Sequence, residues 1–525
     1  MSASTPPKDI SRTHFAHCDS STMTSTTELS SLVLEKPNPV SKRMFRLYGI
    51  LLLGYLCIIL QGYDGSLMPA INAMPQYQKY FGLSAAGAQT GLVFAIFNIG
   101  SLAALPFAGP INDWLGRRFG ILAGCVFVIL GTCIQAPAIN TGMFIGGRFL
   151  CGFGQGFINV SAPMFVAEMA HPYWRGPLSG LMQTNYFVGA IVASWITYGT
   201  LFIESERSFR LPIWLQMISS TTIAIGIMFS PETPRWLMAN NKPDEARAVL
   251  VELHGDGNAE SPAVKLQMAE MAAAIDKDGA DKRWWDYRDL FKTRSARRRM
   301  ICVAGMSWFG QYSGNALVSY YFPVIVEQTG IRDAPTQLLL NALNPVVSWF
   351  AAILGALLLD RVGRRPFLLF GVGGMCICMA IITGCTKLSV DYANPAAGHA
   401  GIFFIYLFSV IFSIGLVPLL PFYIAETLPT ETRAKGVAFG NLVSSAASIL
   451  GLYTSSIAIE AIGYKYYIVF IIWDAIEFLI IYFFFVETKN RTLEEMNAIF
   501  EAPDPVKKSL EETSQSEKIR HTIEA

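Results

Sequence analysis

Asp64 lies between Gly62 and Gly65, deep inside an apolar run that begins near Leu47. A carboxylate near the middle of a bilayer costs about 2.5–3.5 kcal/mol on insertion scales, so it is expected to face a watery cavity or a partner. Burial favours the neutral acid and a neighbouring cation favours the ionised one, so an acid whose cation moves relative to it can load and release a proton. Arg148, at the start of a later apolar run, is the cation this spacing offers. Asp474 and Glu477 also lie within an apolar run, three residues apart and hence on one helical face. They are read as structural acids bonded to a neighbouring helix.

A different chemistry is written in the basic turns. Asp113-Trp-Leu-Gly116-Arg117-Arg118 recurs half a chain later as Asp360-Arg-Val-Gly363-Arg364-Arg365. Glu168 with Arg175-Gly176 recurs as Glu426 with Arg433-Ala-Lys-Gly436, and Pro231-Glu-Thr-Pro-Arg235 recurs loosely as Val486-Glu-Thr-Lys-Asn-Arg491. The chain contains itself twice, which predicts two homologous halves that rock about a shared central site. Acids and guanidiniums brought together at these turns can lock one conformation, with forked Arg geometry fixing the register. Asp113, Arg117, Arg118, Glu168 and Arg175 are the gating candidates of the first half, and Asp360, Arg364, Arg365, Glu426 and Arg433 those of the second.

The elements that must carry these residues follow from composition. Apolar residues make up 52% of the 525 residues, charged residues 15%, and mean hydropathy is +0.39. About twenty apolar residues span the hydrocarbon, and that length gives about twelve spans. They fall near 47–74, 88–110, 119–137, 143–168, 178–202 and 211–230, then near 300–327, 338–359, 366–386, 401–426, 437–461 and 466–486. The fold class is therefore an all-α membrane protein with twelve transmembrane helices in two six-helix pseudo-symmetric halves.

Lys and Arg concentrate in the loops that hold the repeated turns, which makes those loops and both termini cytoplasmic. Residues 1–46, rich in Ser and Thr at the start, read as a disordered cytoplasmic tail without a signal peptide. The first half covers 47–230 and the second 300–486, with a cytoplasmic tail at 487–525. The linker 231–299 shows two amphipathic patterns, one from Pro243 through Leu253 and one from Val264 to Ile275. These predict short cytoplasmic helices that either merely connect the halves or latch beneath the bundle.

Nine cysteines lie singly, so neither a disulfide framework nor a metal site is implied. A net charge of +1 argues against nucleic acid as a partner. The six histidines lie mostly in loops, and no Ser, His or Cys constellation has catalytic spacing, so the chain does not read as an enzyme. No cofactor is expected beyond a proton as coupling ion.

From about Leu47 to Met496 the chain resembles the sugar porter branch of the major facilitator superfamily. The likeness is carried by Gly62-Tyr63-Asp64, the two Asp-to-Arg-Arg turns, Gly147-Arg148, Glu168 to Gly176, Pro231 to Arg235, Gln311 to Tyr321, Glu426 to Gly436 and Glu487 to Glu495. Gly62 to Met68, Asn72 to Gln76 and Phe309 to Asn315 look most like the fungal lactose-permease and cellodextrin-transporter group. The resemblance implies alternating access, sugar as substrate, and Asp64 with Arg148 as the proton-coupling pair.

It also assigns Gln183, Gln311 and Tyr320 to the sugar, with Asn315 standing in for the family's asparagine one residue displaced. Amides that both donate and accept suit sugar hydroxyls, and aromatic faces suit the apolar side of the ring. Helix position adds Asn344 and Tyr423 as substrate candidates, with Trp349 and Phe422 beside them. The family's pattern is broken at Gly310, Ser348 and Pro421, changes that point to a wider or differently lined pocket. The expected activity is proton-coupled import of a mono- or disaccharide at the plasma membrane by a monomer in the lipid bilayer. The rivals are a facilitative uniporter of the same fold, a transport-dead sugar sensor and an exporter.

Overall fold

The computed structural model describes residues 39–278, 287–392, 394–429, 432–489, 491 and 493–511. Of the tail expected to be disordered over 1–46, residues 1–38 lie outside this set, whereas Lys42 to Arg46 are helical and open the first span's helix. Helices of the first half are α1 (Lys42–Asn72), α2 (Pro75–Phe81), α3 (Ala88–Trp114), α4 (Arg117–Gln135), α5 (Thr141–Met169), α6 (Arg175–Thr200) and α7 (Arg207–Phe229). The linker forms α8 (Pro234–Ala239), α9 (Pro243–Leu253), α10 (Pro262–Asp278) and α11 (Asp289–Lys292). The second half holds α12 (Arg294–Tyr312), α13 (Asn315–Tyr320), α14 (Phe322–Gln328), α15 (Ala334–Val362), α16 (Arg364–Tyr392) and α17 (Pro395–Gly415). It closes with α18 (Leu419–Thr427), α19 (Arg433–Ile462), a 3₁₀ turn (Gly463–Tyr466) and α20 (Tyr467–Phe484), and α21 (Leu493–Glu501) follows.

Nine helical stretches among the described residues are long and apolar enough to cross a membrane, and one of them, Lys435–Phe484, holds both α19 and α20. With α6 and the broken α12–α14 path this makes the twelve spans. Side-chain caps set several starts: Asn140 accepts from Met143 N, Asp333 from Thr336 N and Asn394 from Ala396 N. Inside the first half, small residues let backbones approach. A Cβ at Gly152 would overlap the Phe97 backbone of α3, and one at Gly124 would press on Ile158 of α5.

Two spans that read as continuous are broken. The seventh, expected over 300–327, divides at Ser313-Gly314 and again at Tyr321. Gly314 takes φ 79°, a conformation that suits a residue without a side chain. The tenth, expected over 401–426, divides between Gly415 and Leu419, where Pro418 cannot continue the hydrogen-bond ladder.

The halves meet through α3 against α19, α6 against α15, and α1 against α13. Ser456 Oγ donates to Gly87 O at 2.8 Å and accepts from Gly87 N at 3.0 Å, joining the start of α3 to the last turns of α19. Phe94 packs its ring 5.4 Å from both Tyr320 and Tyr321. Among the described residues, the ion pairs at the end of the bundle that carries the repeated turns stay within a half.

Of the two expectations for the linker, packing against the bundle is what the structure displays: α11 sets Leu290 among Met300, Val303 and Leu428 and the Phe291 ring 5.6 Å from Phe439 of the second half, and the earlier linker helices sit under the first half. Arg46 pairs with Glu252, Arg43 lies 3.6 Å from Asp256, Trp236 Nε1 donates to Asp113 O at 2.9 Å, and a His254 ring nitrogen meets Met169 O at 3.0 Å.

Candidate functional site

Asp64, on α1, is fully buried. Gly62 and Gly65 admit it: a side chain at either would strike Tyr186 of α6, so α1 lies close against that helix. Asp64 Oδ1 stands 3.4 Å from Arg148 Nη1 on α5, and Asp64 Oδ2 accepts from Gln216 Nε2 on α7 at 2.8 Å. Arg148 is held over the Phe97 ring at 4.7 Å, an attraction between cation and π face. The phenols of Tyr186 and Tyr320 lie within electrostatic reach of this pair. Arg148 Nε and Gln216 Oε1 remain buried without a protein partner, which leaves a donor and an acceptor facing the site.

Arg148, Gln155 and Asn159 share one face of α5, opposite the Phe153 and Phe157 rings that pack with Phe127. Gln155 Nε2 donates to Asn159 Oδ1 at 3.0 Å while its Oε1 stays unpartnered. A polar stripe therefore runs from the Asp64 pair towards the cytoplasm. Neither Gln216 nor Gln155 was singled out by sequence, because a lone amide in an apolar run looks like any interhelical hydrogen bond.

Gln183 of α6 and Gln311 at the end of α12 are half-buried, with side chains free of protein hydrogen bonds among the described residues. Asn315 accepts from Ser319 Oγ at 3.2 Å on α13, and Tyr320 closes the same short helix against Phe94. Asn344 of α15 is half-buried with Oδ1 unpartnered. These residues come from α6, α12, α13 and α15; α6 packs against α15, and α13 follows α12 and touches α1.

Tyr423 is not among them. Its hydroxyl donates to Val486 O at 3.0 Å and accepts from Val486 N at 3.1 Å, its ring stacks on Phe485 at 5.3 Å, and it is fully buried. With both roles of the hydroxyl taken and no exposed surface, it has nothing left for a ligand. The placement in α18 is one that helix position alone could not resolve, since the break after Gly415 turns the face.

At the cytoplasmic base the two halves repeat each other closely. Arg117 Nη2 meets Glu168 Oε1 at 3.1 Å, with Asp113 Oδ1 3.8 Å from Nη1. Arg364 grips Glu426 with both Nε (3.2 Å) and Nη2 (3.0 Å). Arg118 Nη1 donates to Ser230 O at 2.8 Å and Arg365 Nη2 to Tyr482 O at 2.7 Å. Arg433 donates to Leu428 O at 3.2 Å; the side chains of Arg175 and Asp360 are outside the described set.

Sequence reasoning passed over the two acids that organise these corners. Glu232 accepts from Arg118 N at 3.3 Å, and Glu487 accepts from Arg364 N at 2.9 Å and Arg365 N at 3.1 Å, so each carboxylate caps the start of α4 or α16. Gly116 (φ 101°) and Gly363 (φ 107°) make the turns on which these caps rest. Burial pushes the Glu232 carboxyl up, and the backbone bonds and both arginines oppose it. Each of these pairs joins helices of one half, so in this conformation they brace the half that holds them.

With this arrangement in view, the likeness to known proteins takes its meaning. The profile of the family described as "Sugar (and other) transporter" matches residues 50–500. The chain belongs to that family, the sugar porters of the major facilitator superfamily, and is a multi-pass membrane transporter rather than an enzyme. It is 28% identical over 484 residues to the high-affinity glucose transporter of Kluyveromyces lactis, covering 87% of this chain and 86% of that one. It is 29% identical over 507 residues to the quinate permease of Neurospora terricola, covering 90% and 92%. Among solved structures, the inward-open xylose transporter XylE from E. coli superposes with a TM-score of 0.72 at 20% identity, over 87% of this chain and all of that one, a likeness of fold.

Proposed function

We propose that this transporter is a proton-coupled symporter that imports a polyhydroxylated small molecule, a mono- or disaccharide first among them, across the plasma membrane with both termini in the cytoplasm. The observation that carries the reading is Asp64, fully buried between Arg148 and Gln216. An acid so placed changes its hold on a proton whenever the cation shifts, and α1, α5 and α7 all belong to one half whose surface turns between the two sides. Gln183, Gln311, Asn315, Asn344 and Tyr320 supply donors, acceptors and a ring edge for hydroxyl groups.

One proton moving down 100 mV yields about 2.3 kcal/mol, and each pH unit adds about 1.4 kcal/mol. Two pH units and that potential together give about 5 kcal/mol, enough for a gradient on the order of a few thousandfold at full coupling. The test is external alkalinisation by cells lacking their own sugar carriers and expressing this chain. Hexoses, lactose, cellobiose and quinate are added singly, with Asp64→Asn alongside. A solute-specific pH rise lost in the variant supports the reading; labelled solute entering with no pH signal assigns the chain to facilitated transport instead.

A further inference from the structure

The Asp64 site has a counterpart in the second half, built the other way round. Tyr63-Asp64-Gly65 on the first span has its equivalent in Tyr312-Ser313-Gly314 on the seventh, and Gln216 on the sixth span in Glu477 on the twelfth. Gln216 donates to Asp64 at 2.8 Å, and Ser313 Oγ lies 2.6 Å from Glu477 Oε2. The contact is kept while the acid has moved from the first helix of the half to the last.

Asp474 shares the face of Glu477 on α20, and both are fully buried. Among the described residues neither forms an ion pair, and Asp474 Oδ1, Asp474 Oδ2 and Glu477 Oε1 have no hydrogen-bond partner. Among the described residues no cation lies beside them. From α16 comes Cys376, whose Sγ donates to Ile471 O at 3.4 Å; from α12 come Ser313 and Tyr312, the latter with its ring 5.8 Å from Trp473. Trp473 itself faces Glu477, and Tyr466 of the 3₁₀ turn meets Phe470 edge-on with ring centroids 5.1 Å apart.

Counting hydrogens at Ser313 gives an independent pointer. Its Oγ lies within bonding range of two acceptors, the Phe309 carbonyl oxygen and Glu477 Oε2. The hydroxyl has one hydrogen, and the bond back to the carbonyl four residues earlier is the usual use of it in a helix. With that hydrogen on the carbonyl, a protonated Glu477 donates in the second contact; an ionised Glu477 takes the hydrogen from Ser313 and leaves the carbonyl contact without one. Two buried carboxyls with no cation cannot both carry charge without a cost that burial does not refund.

We propose that Glu477 and Asp474 form a second proton-binding site, whose bound proton ties α20 to the break in the seventh span. Ser313 directly precedes Gly314, the pivot between α12 and α13, and α13 carries Asn315 and Tyr320 to the Phe94 contact with the other half. Protonation at α20 therefore biases the position of α13. The site stands whether or not Asp64 couples proton to solute.

The test uses the purified full chain in lipid vesicles, in an Asp64→Asn background so that only the second site is read. Infrared spectroscopy is expected to find a protonated-carboxyl band that persists at pH 8 and weakens in both Glu477→Gln and Asp474→Asn. A band unchanged by either substitution overturns the proposal. Solute counterflow supplies the functional arm. Glu477→Gln, which keeps a neutral donor, and Ser313→Ala, which cuts the tie from the other side, are each expected to move the midpoint of the alkaline decline by about one unit, tenfold in proton concentration. Profiles identical to the background in both variants refute the linkage to α13, and Ser313→Ala carries this arm if the α20 variants do not reach the vesicles folded.

Discussion

The two halves agree at the base and disagree at the centre. In both, a carboxylate caps the turn helix, an arginine grips a glutamate across the next helix, and a second arginine reaches a backbone carbonyl. At the centre the first half holds an acid with a cation, Asp64 with Arg148, whereas the second holds two acids with none. Symmetry is kept where a half must stay rigid and given up where it must respond to a ligand. The difference also separates two uses of a buried carboxyl. One paired with a movable cation can alternate between charge states, while one without can persist only as the neutral acid.

The largest effect should come from unbalancing the first centre. Arg148→Ala leaves Asp64 buried and uncompensated, at a cost of about 3–5 kcal/mol, and is expected to lower the thermal midpoint of the purified chain sharply and abolish uptake. Arg148→Gln combined with Asp64→Asn removes both charges and should restore most of that midpoint. The corresponding neutralisation in the second half, Asp474→Asn, is expected to leave the midpoint near wild type, since no ion pair is lost. A drop comparable to that of Arg148→Ala would erase the contrast.

A smaller effect separates the two bases. Glu426 receives two bonds from Arg364 and Glu168 one from Arg117. Hydrogen bonds to charged groups are worth about 1.5–3 kcal/mol, so Glu426→Gln should destabilise more than Glu168→Gln in parallel denaturation. Equal losses would mean that the forked geometry adds nothing.

At the contact between halves, Ser456→Ala removes both bonds to Gly87. The expected shift away from this conformation is about 1 kcal/mol, roughly fivefold in population. Labelling from outside of a cysteine introduced at the inner face of α3 would read it.

The smallest effect belongs to the linker seat. Burial, with the His254 ring 5.2 Å away, depresses the His171 imidazole to about 4 from its ordinary 6.5. Its folded form is neutral, so its contribution to docking is full above pH 6.5 and is lost progressively as the pH falls towards 4. Limited proteolysis of the linker should quicken across that window, and His171→Asn should flatten the response.

Sequence showed the spans and the repeated turns clearly, because hydropathy and charge are written residue by residue. It also brought Asp64 to Arg148, since a buried acid needs a cation and few were on offer. It failed where backbone irregularity decides the outcome. The breaks at Ser313-Gly314 and after Gly415 redirect short helices, and Tyr423 consequently lands on Val486 rather than in the central space. Glu232 and Glu487 were visible as repeated motif letters, but their role as helix caps needed the return of a distant loop to the start of α4 and α16. Asp474 and Glu477 were legible as odd residues in an apolar run; the hydroxyl opposite Glu477 was not, because it lies 164 residues away on another span.

The central claim is that Asp64 links solute movement to a proton. Wild-type protein and Asp64→Asn in vesicles, supplied with the solute found by alkalinisation, should be compared for two activities: counterflow with no proton gradient, and uphill accumulation with an imposed acid-outside gradient. The account predicts that the variant keeps counterflow and loses accumulation. Accumulation by Asp64→Asn equal to that of the wild type would contradict it.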